Sequence, residues 1–360
     1  MAWVERIELI DFRNWSSTVF SPGKSGITAI VGDNGHGKTN LIEAVFYAST
    51  GGSFRSSTKD VLIRNGSESS ILHAIVTTKG RELTIDCSIN RSTRDRHLVN
   101  KKQVPRISDL RSEIPVIEFN PDDLQLVKGS PMNRRTLLDD FLSMLSRSSS
   151  RLVDETDRIL KQRAALLKSA NRSTLEEVNW SLDVWDKKLA YAGTDLADRR
   201  ESLVLQLQPL CAELYKELSG GKGEMEIHYS RSWKGDLESA LIANRDEDLR
   251  RQQTGVGPHR DDLLISLGGM AARLCASQGE QRTISYVLKA GMCLLLNDQL
   301  GEPPVILLDD ILSELDSTRA RSVLDVMPEG QVLLTATSVP TSVESIAEVL
   351  RVVDGRFADV

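Results

Sequence analysis

Cysteine is scarce in this chain of 360 residues, and its four copies, Cys87, Cys211, Cys275 and Cys293, stand apart with no CxxC spacing and no Cys/His cluster. That pattern excludes a disulfide framework and a zinc site, and leaves buried free thiols in a reducing cytosol as the expectation. Aromatics amount to only 5%, yet hydrophobic residues reach 40% and charged ones 27%, which excludes disorder and a fibrous repeat. An excess of positive charge is also missing. Lys and Arg number 45 against 51 Asp and Glu, for a net charge of −6, so any basic surface must be a local patch. No apolar run approaches the ~20 residues of a membrane span. The N-terminus, with Glu5, Arg6, Glu8 and Asp11, has no signal-peptide core. A soluble, cytoplasmic chain of two or three domains with no membrane contact is expected.

Short β-branched runs at 4–10 and 27–31 predict strands, the second leading straight into a glycine-rich turn and a helix over 39–48. Alternation at 71–77, 83–89 and 97–104 predicts antiparallel strands, and 115–119 one more. Near residue 130 the texture changes. Apolar residues recur at helical spacing (Leu138, Phe141, Leu142, Leu145; Val178, Leu182, Trp185, Leu189, Leu196; Leu203 to Leu218). Three or four helices packed as an antiparallel insertion are expected, with Trp180 and Trp185 in their core. After Gly220 the α/β texture returns, with strands at 305–308 and 331–334.

Between the strand 27–31 and its helix lies Gly32-Asp33-Asn34-Gly35-His36-Gly37-Lys38-Thr39, a complete GxxxxGKT in the strand–turn–helix context the motif needs. Its backbone amides would wrap phosphates at a helix N-terminus, Lys38 would reach the β- and γ-phosphates, and Thr39 would hold Mg²⁺. His36 would act through its backbone. Val305-Ile306-Leu307-Leu308 ends in Asp309-Asp310, the layout of a Walker B strand. Asp309 would hold Mg²⁺ and Asp310 would polarise the attacking water. Ser277-Gln278-Gly279-Glu280-Gln281 resembles the signature motif of ABC-type ATPases, in which a serine and a helix N-terminus of one subunit close on the γ-phosphate held by another. A plain serine N-cap is the competing reading. Ser313-Glu314-Leu315-Asp316 looks like the matching D-loop. Cofactor contacts are therefore expected from the phosphate loop and from Ser277, Gly279, Gln281, Asp309 and Asp316. Such an order of motifs makes ATP a dimerising ligand.

The resemblance that these residues carry is to the RecF family of bacterial recombination and replication-repair proteins, within the ABC/SMC-like ATPases. It rests on Asp11-Phe12-Arg13-Asn14-Trp15, Ser53-Phe54-Arg55, Phe119-Asn120-Pro121-Asp122-Asp123-Leu124, Lys128-Gly129-Ser130-Pro131 with Arg134-Arg135, Lys161-Gln162-Arg163 with Leu166-Leu167-Lys168, and Gly257-Pro258-His259-Arg260-Asp261-Asp262-Leu263. The resemblance implies an ATP-dependent DNA-binding homodimer with slow, DNA-stimulated ATP hydrolysis. Its partners would be gapped or junction DNA, both single- and double-stranded, and the proteins RecO and RecR, in a pathway that loads RecA. It departs from the ABC pattern in two places. No histidine follows Asp316; Thr335-Ala336-Thr337 stands at the switch, with Thr337 as the candidate γ-phosphate contact. No glutamine marks a Q-loop, for which Asn120 to Asp123 is the candidate.

Arg91, Arg94, Arg96, Lys101, Lys102 and Arg106, opposed only by Asp95, would form a basic hairpin suited to DNA phosphates. Ser56, Ser57, Lys59 and Arg64 could extend it, and Arg134, Arg135, Arg147 and Arg151 form a weaker second patch. For His259 and Arg260 a DNA contact and an ion pair with Asp261 or Asp262 both stay open. The expected fold is α/β: an ABC/SMC-type P-loop ATPase head from residues 1–125 and 255–360, with an inserted all-helical domain, 126–254. Other classes remain open. A P-loop kinase would lack the Ser277 motif, a GTPase would need an absent NKxD, and an SMC protein would need long coiled-coil arms. A nucleotide-gated switch for a protein partner, with DNA contact incidental, is the nearest alternative.

Overall fold

The computed structural model describes residues 1–55, 58–170, 175–221, 223–312, 317–339, 343–344 and 347–358. The expected D-loop, Ser313 to Asp316, and the residues Ser56 and Ser57 lie outside them. By packing, the chain divides into Met1–Asp123 with Tyr286–Val360, and Leu124–Ser285.

The first unit is built around the helix Lys38–Thr50, which buries Leu41, Ile42, Ala44, Val45, Phe46, Tyr47 and Ala48. A helix apolar on nearly every side must be covered on several faces at once. Two sheets supply residues to the same core. One is a six-stranded, largely parallel sheet with Gly26–Val31 between Gln331–Ala336 and Ala347–Val353; Val305–Asp309 and Val116–Phe119 continue it beyond Gln331–Ala336. Its central strands are buried end to end, as parallel strands covered on both faces require. The second sheet is antiparallel and runs Trp15–Phe20, Trp3–Phe12, Ser69–Thr78, Arg81–Asn90, Arg96–Val99 and Lys102–Gln103. Its alternating burial pattern fits one covered and one solvated face.

The second unit holds the helices Pro131–Leu145, Arg147–Ser169 and Leu175–Leu218, and it is not purely helical. Met225–Ser230, Asp262–Leu267 and Met270–Ala271 form a three-stranded antiparallel sheet. Met225–Ser230 and Asp262–Leu267 lie over thirty residues apart in sequence, so neither announces the other. The stretch 255–285, expected in the head, also packs in this unit. The helix Gln278–Leu300 carries the chain back to the first unit. Cys87, Cys211 and Cys293 are buried as expected, whereas Cys275 is exposed, and all four are free. Among the described residues no helix is long and apolar enough to cross a membrane.

Candidate functional site

The strand Gly26–Val31 ends at Gly32, whose hydrogen faces the backbone of Val352; an added Cβ would sit 2.2 Å from the Val352 carbonyl oxygen. The chain then turns through Asp33 to Gly37 into its helix. Gly37 adopts φ +104, and a Cβ there would meet the Asn14 side chain at 2.5 Å. Gly35, by contrast, faces open space. The loop is thus tight against the protein on one side and open on the other. Lys38, largely buried, donates to the carbonyls of Gly32 (2.7 Å) and Asp33 (2.9 Å), so its ammonium already spans the loop.

The motif around Arg13 is the scaffold of this loop. Asn14 Nδ2 donates to the His36 carbonyl at 3.1 Å, and the buried Trp15 indole to the Gly37 carbonyl at 3.1 Å. Gly355 N adds a third contact to His36 O at 3.0 Å. Arg13 makes a bidentate pair with Glu43 of the helix (2.8 and 2.7 Å), and Ser53 donates to the same carboxylate. Glu43 is fully buried, so its charge is balanced by a fork-shaped donor pair rather than by water. Arg55 reaches Asn40 Oδ1 at 3.1 Å. Two segments quoted only for their resemblance therefore meet on one helix beside the phosphate loop.

Opposite stands the tip of Val305–Asp309. Asp309 Oδ1 accepts from Thr39 Oγ1 and from Thr335 Oγ1, each at 2.7 Å. Burial pushes this carboxyl above its ordinary value, and the two threonine hydroxyls pull it back. Asp310 follows in the left-handed region, φ +54, with its amide donating to Thr335 Oγ1 at 3.1 Å. Asp310 lines a cavity of about 620 Å³ with Lys38, Thr39, Asn34, Gly35 and Gly37. Thr335 lines it too, whereas Thr337 lies beyond the strand end and is exposed. Of the stretch Thr335-Ala336-Thr337, it is Thr335 rather than the expected Thr337 that lines the cavity. Asp60 and Arg55 also line the cavity.

Ser277 caps the helix Gln278–Leu300 through a reciprocal box. Its amide and hydroxyl both donate to Glu280 Oε2 at 2.7 Å, and Glu280 N points back at 3.4 Å. Those bonds hold Glu280 below its ordinary value. Ser277 and Gly279 are exposed, so this helix start is presented to solvent. Gln281 is not: it is buried and donates to the Ala276 carbonyl at 2.7 Å, a structural role where a cofactor contact was expected. Asn120 and Asp123, the Q-loop candidates, are likewise occupied. Asn120 accepts from the Asp122 amide at 2.9 Å, and Asp123 takes the buried Lys289 ammonium at 2.5 Å, with Glu118 at 3.1 Å. Burial works to discharge Lys289, and the two carboxylates overcome it and hold its pKa above the ordinary value.

Five of the six hairpin cations sit where the sequence put them. Arg94, Arg96, Lys101, Lys102 and Arg106 are exposed along the edge of the antiparallel sheet. Asn100 and Lys101, with φ +50 and +63, make the tight turn between the last two strands. Arg91 differs. It is half-buried, donates to the Ser67 carbonyl at 2.9 Å and lines the phosphate-loop cavity. In the second patch Arg134 is buried in a bidentate pair with Asp262 (2.7 and 2.9 Å) and Arg135 donates to the Asp261 carbonyl at 2.7 Å, while Arg147 and Arg151 are exposed. Asp261 instead accepts from Tyr229 (2.6 Å) and the Ser232 amide (2.8 Å). His259 contacts the Thr254 carbonyl at 2.9 Å, and burial lowers it to about 4.

A glycine loop with its lysine folded across it, facing a buried aspartate on a parallel strand, defines a P-loop nucleotide-binding head. The capped Ser277 helix adds the ABC/SMC character. The chain matches the RecF/RecN/SMC N terminal domain over residues 3–354 and belongs to that family. It is 35% identical to the DNA replication and repair protein RecF of Streptomyces avermitilis, over 95% of each chain. With RecF of Clostridium tetani it shares 33% identity, over 94% of this chain and 93% of the relative. Among solved structures, the recombination mediator protein RecF-ATP in the RecFOR pathway superposes with a TM-score of 0.90 at 27% identity, covering 100% of this chain and 98% of that one. The Smc head of Pyrococcus furiosus shares the fold, with a TM-score of 0.60 at 16% identity over 100% and 96% of the two chains.

Proposed function

We propose that this protein is an ATP-gated DNA-binding switch of replication repair. It dimerises on ATP, engages gapped DNA or single-/double-strand junctions, and acts with RecO and RecR in loading RecA. The observation that carries the reading is the Lys38 ammonium lying across the loop carbonyls beside a glycine arc open to solvent. In this reading Lys38 leaves the Gly32 and Asp33 carbonyls for β- and γ-phosphate oxygens, and the loop amides turn toward the same anion. Thr39 and Asp309 form a hard oxygen pair that fits Mg²⁺, whose charge would offset that of the phosphates. Asp310, which lines the same cavity, would in this reading accept a proton from the attacking water. Thr335 fixes both aspartates, through its hydroxyl to Asp309 and from the Asp310 amide.

Ser277, presented at an exposed helix start, completes the site of a second copy by exchanging its bond to Glu280 for a phosphate oxygen. Hydrolysis reverses that exchange and reopens the dimer, so slow turnover acts as a timer. The hairpin from Arg94 to Arg106 would supply phosphate contacts without sequence preference. Anisotropy of labelled gapped duplex tests the reading. Binding is expected to be strong with ATP, weak with ADP and lost in Lys38→Met. Equal binding in all three would remove the nucleotide coupling.

A further inference from the structure

Lys59, read in the sequence as an extension of the basic hairpin, turns its ammonium onto the loop at the hairpin's base. It donates to the Asn90 carbonyl at 2.8 Å and to the Thr93 carbonyl at 3.4 Å, and stands 3.7 Å from the Asp95 carboxylate. Asp95 closes the same loop from within by accepting from the Asn90 amide at 2.9 Å. Three acceptors for the three hydrogens of an ammonium make Lys59 a staple rather than a free surface charge. The loop it staples carries Arg94 and leads into Arg96, both exposed. It also carries Arg91, whose guanidinium stands 3.8 Å from Asp60. Lys59 opens the 3₁₀ turn Lys59–Val61, and Asp60 and Val61 of that turn line the phosphate-loop cavity with Arg91. From there the bonds run on. The Val61 carbonyl accepts from Arg13 Nη1 at 3.1 Å, and Arg13 forks onto Glu43 of the helix that starts at Lys38.

We infer that Lys59 is a positioning residue through which the basic hairpin and the nucleotide cavity act on one another. Phosphates drawn to Arg94 and Arg96 pull on a loop whose inner side is pinned to the cavity wall, so a shift of the loop carries Asp60 and Val61 with it. By linkage the effect runs both ways: nucleotide settling against that wall changes the affinity of the hairpin by the same factor. An exposed charge contact contributes little to stability, and Lys59 is 43% exposed. Its value therefore lies in where it holds the loop, not in how tightly. Among the described residues, the cavity wall includes neither Lys59 nor Arg94 nor Arg96, so the hairpin acts on the nucleotide only through intermediates. Lys59 has this role only if DNA and ATP are coupled, and to that extent it rests on the nucleotide-gated reading above.

The test is the affinity for labelled gapped duplex with ATP and with ADP, in the full chain and in Lys59→Met, Lys59→Gln, Lys59→Arg and Arg64→Gln, with circular dichroism to confirm folding. The parent is expected to bind at least about fivefold tighter with ATP than with ADP. Lys59→Met and the milder Lys59→Gln should bring that factor to about one while a fluorescent ATP analogue still binds. The affinity for that analogue, measured with and without duplex, should lose the same factor. Lys59→Arg keeps a cation within reach of the same acceptors and should restore most of it. Arg64→Gln removes an exposed cation that pairs with Asp11, outside the staple, and should leave the factor as it is. A parent-like factor in Lys59→Met and Lys59→Gln overturns the role of Lys59 alone, as does an equal loss in Arg64→Gln. Equal binding with ATP and ADP in the parent overturns it together with the gated reading.

Discussion

Glu43 shows how much of the nucleotide site is settled outside the motif that names it. Its buried carboxylate takes the Arg13 fork and the Ser53 hydroxyl, while the neighbours of Arg13, Asn14 and Trp15, hold the phosphate loop from below. Removing its charge takes the bidentate carboxylate partner from the Arg13 guanidinium, itself only 13% exposed. Glu43→Gln is therefore expected to destabilise the chain by about 3 kcal/mol. The effect would appear in urea as a lower midpoint at unchanged slope, together with weaker ATP binding. A midpoint equal to that of the parent would contradict this role. The phosphate loop itself was legible because its residues are contiguous and its chemistry is local. The Arg13–Glu43 pair was not, because it joins positions thirty residues apart with no pattern between them. Trp180, expected in the core but 74% exposed, was misplaced for a related reason: a period gives a position along a helix, while orientation is decided by what packs against it.

At the level of elements, two of the family segments in the second unit turn out to be mutual partners. Arg134, after the Lys128–Pro131 turn, pairs with Asp262, and Arg135 bonds the Asp261 carbonyl. Arg200 of the long helix binds the Pro258 carbonyl and pairs with Asp139. Arg134 and Arg135, two cations of the second basic patch, are the means by which a helix holds a small sheet. The sheet was hidden because Met225–Ser230 and Asp262–Leu267 each find a partner far along the chain. His259 sits in this network with its pKa lowered from the ordinary 6.5 to about 4, first by burial and then by Arg260, Arg135 and Arg163, against a raising contact with Thr254. The native state then binds fewer protons than the unfolded chain between those values, so its contribution is complete above pH 6.5 and is lost as pH falls toward 4. Thermal unfolding of the parent should drop over that window, and His259→Gln should flatten the drop. A variant with the same pH slope as the parent would rule the histidine out as its source.

For the whole molecule, the head was readable as a class because its signature motifs keep a fixed order across a parallel sheet. Glycine loop, capped Ser277 helix and Asp309-Asp310 strand each occupy the expected element. What the sequence concealed is which residues line the phosphate-loop cavity: Arg91 and Thr335 do, while Thr337 is not among them. The account requires that Lys38 of one copy and Ser277 of another serve the same nucleotide, since the exposed Ser277 box is otherwise just a helix cap. Mixing Lys38→Met chains with Ser277→Arg chains tests this directly, because a mixed dimer contains one site with both residues intact. ATP hydrolysis is predicted to be absent from each variant alone and to return on mixing. Activity in Ser277→Arg alone, or none in the mixture, would contradict a site shared between copies.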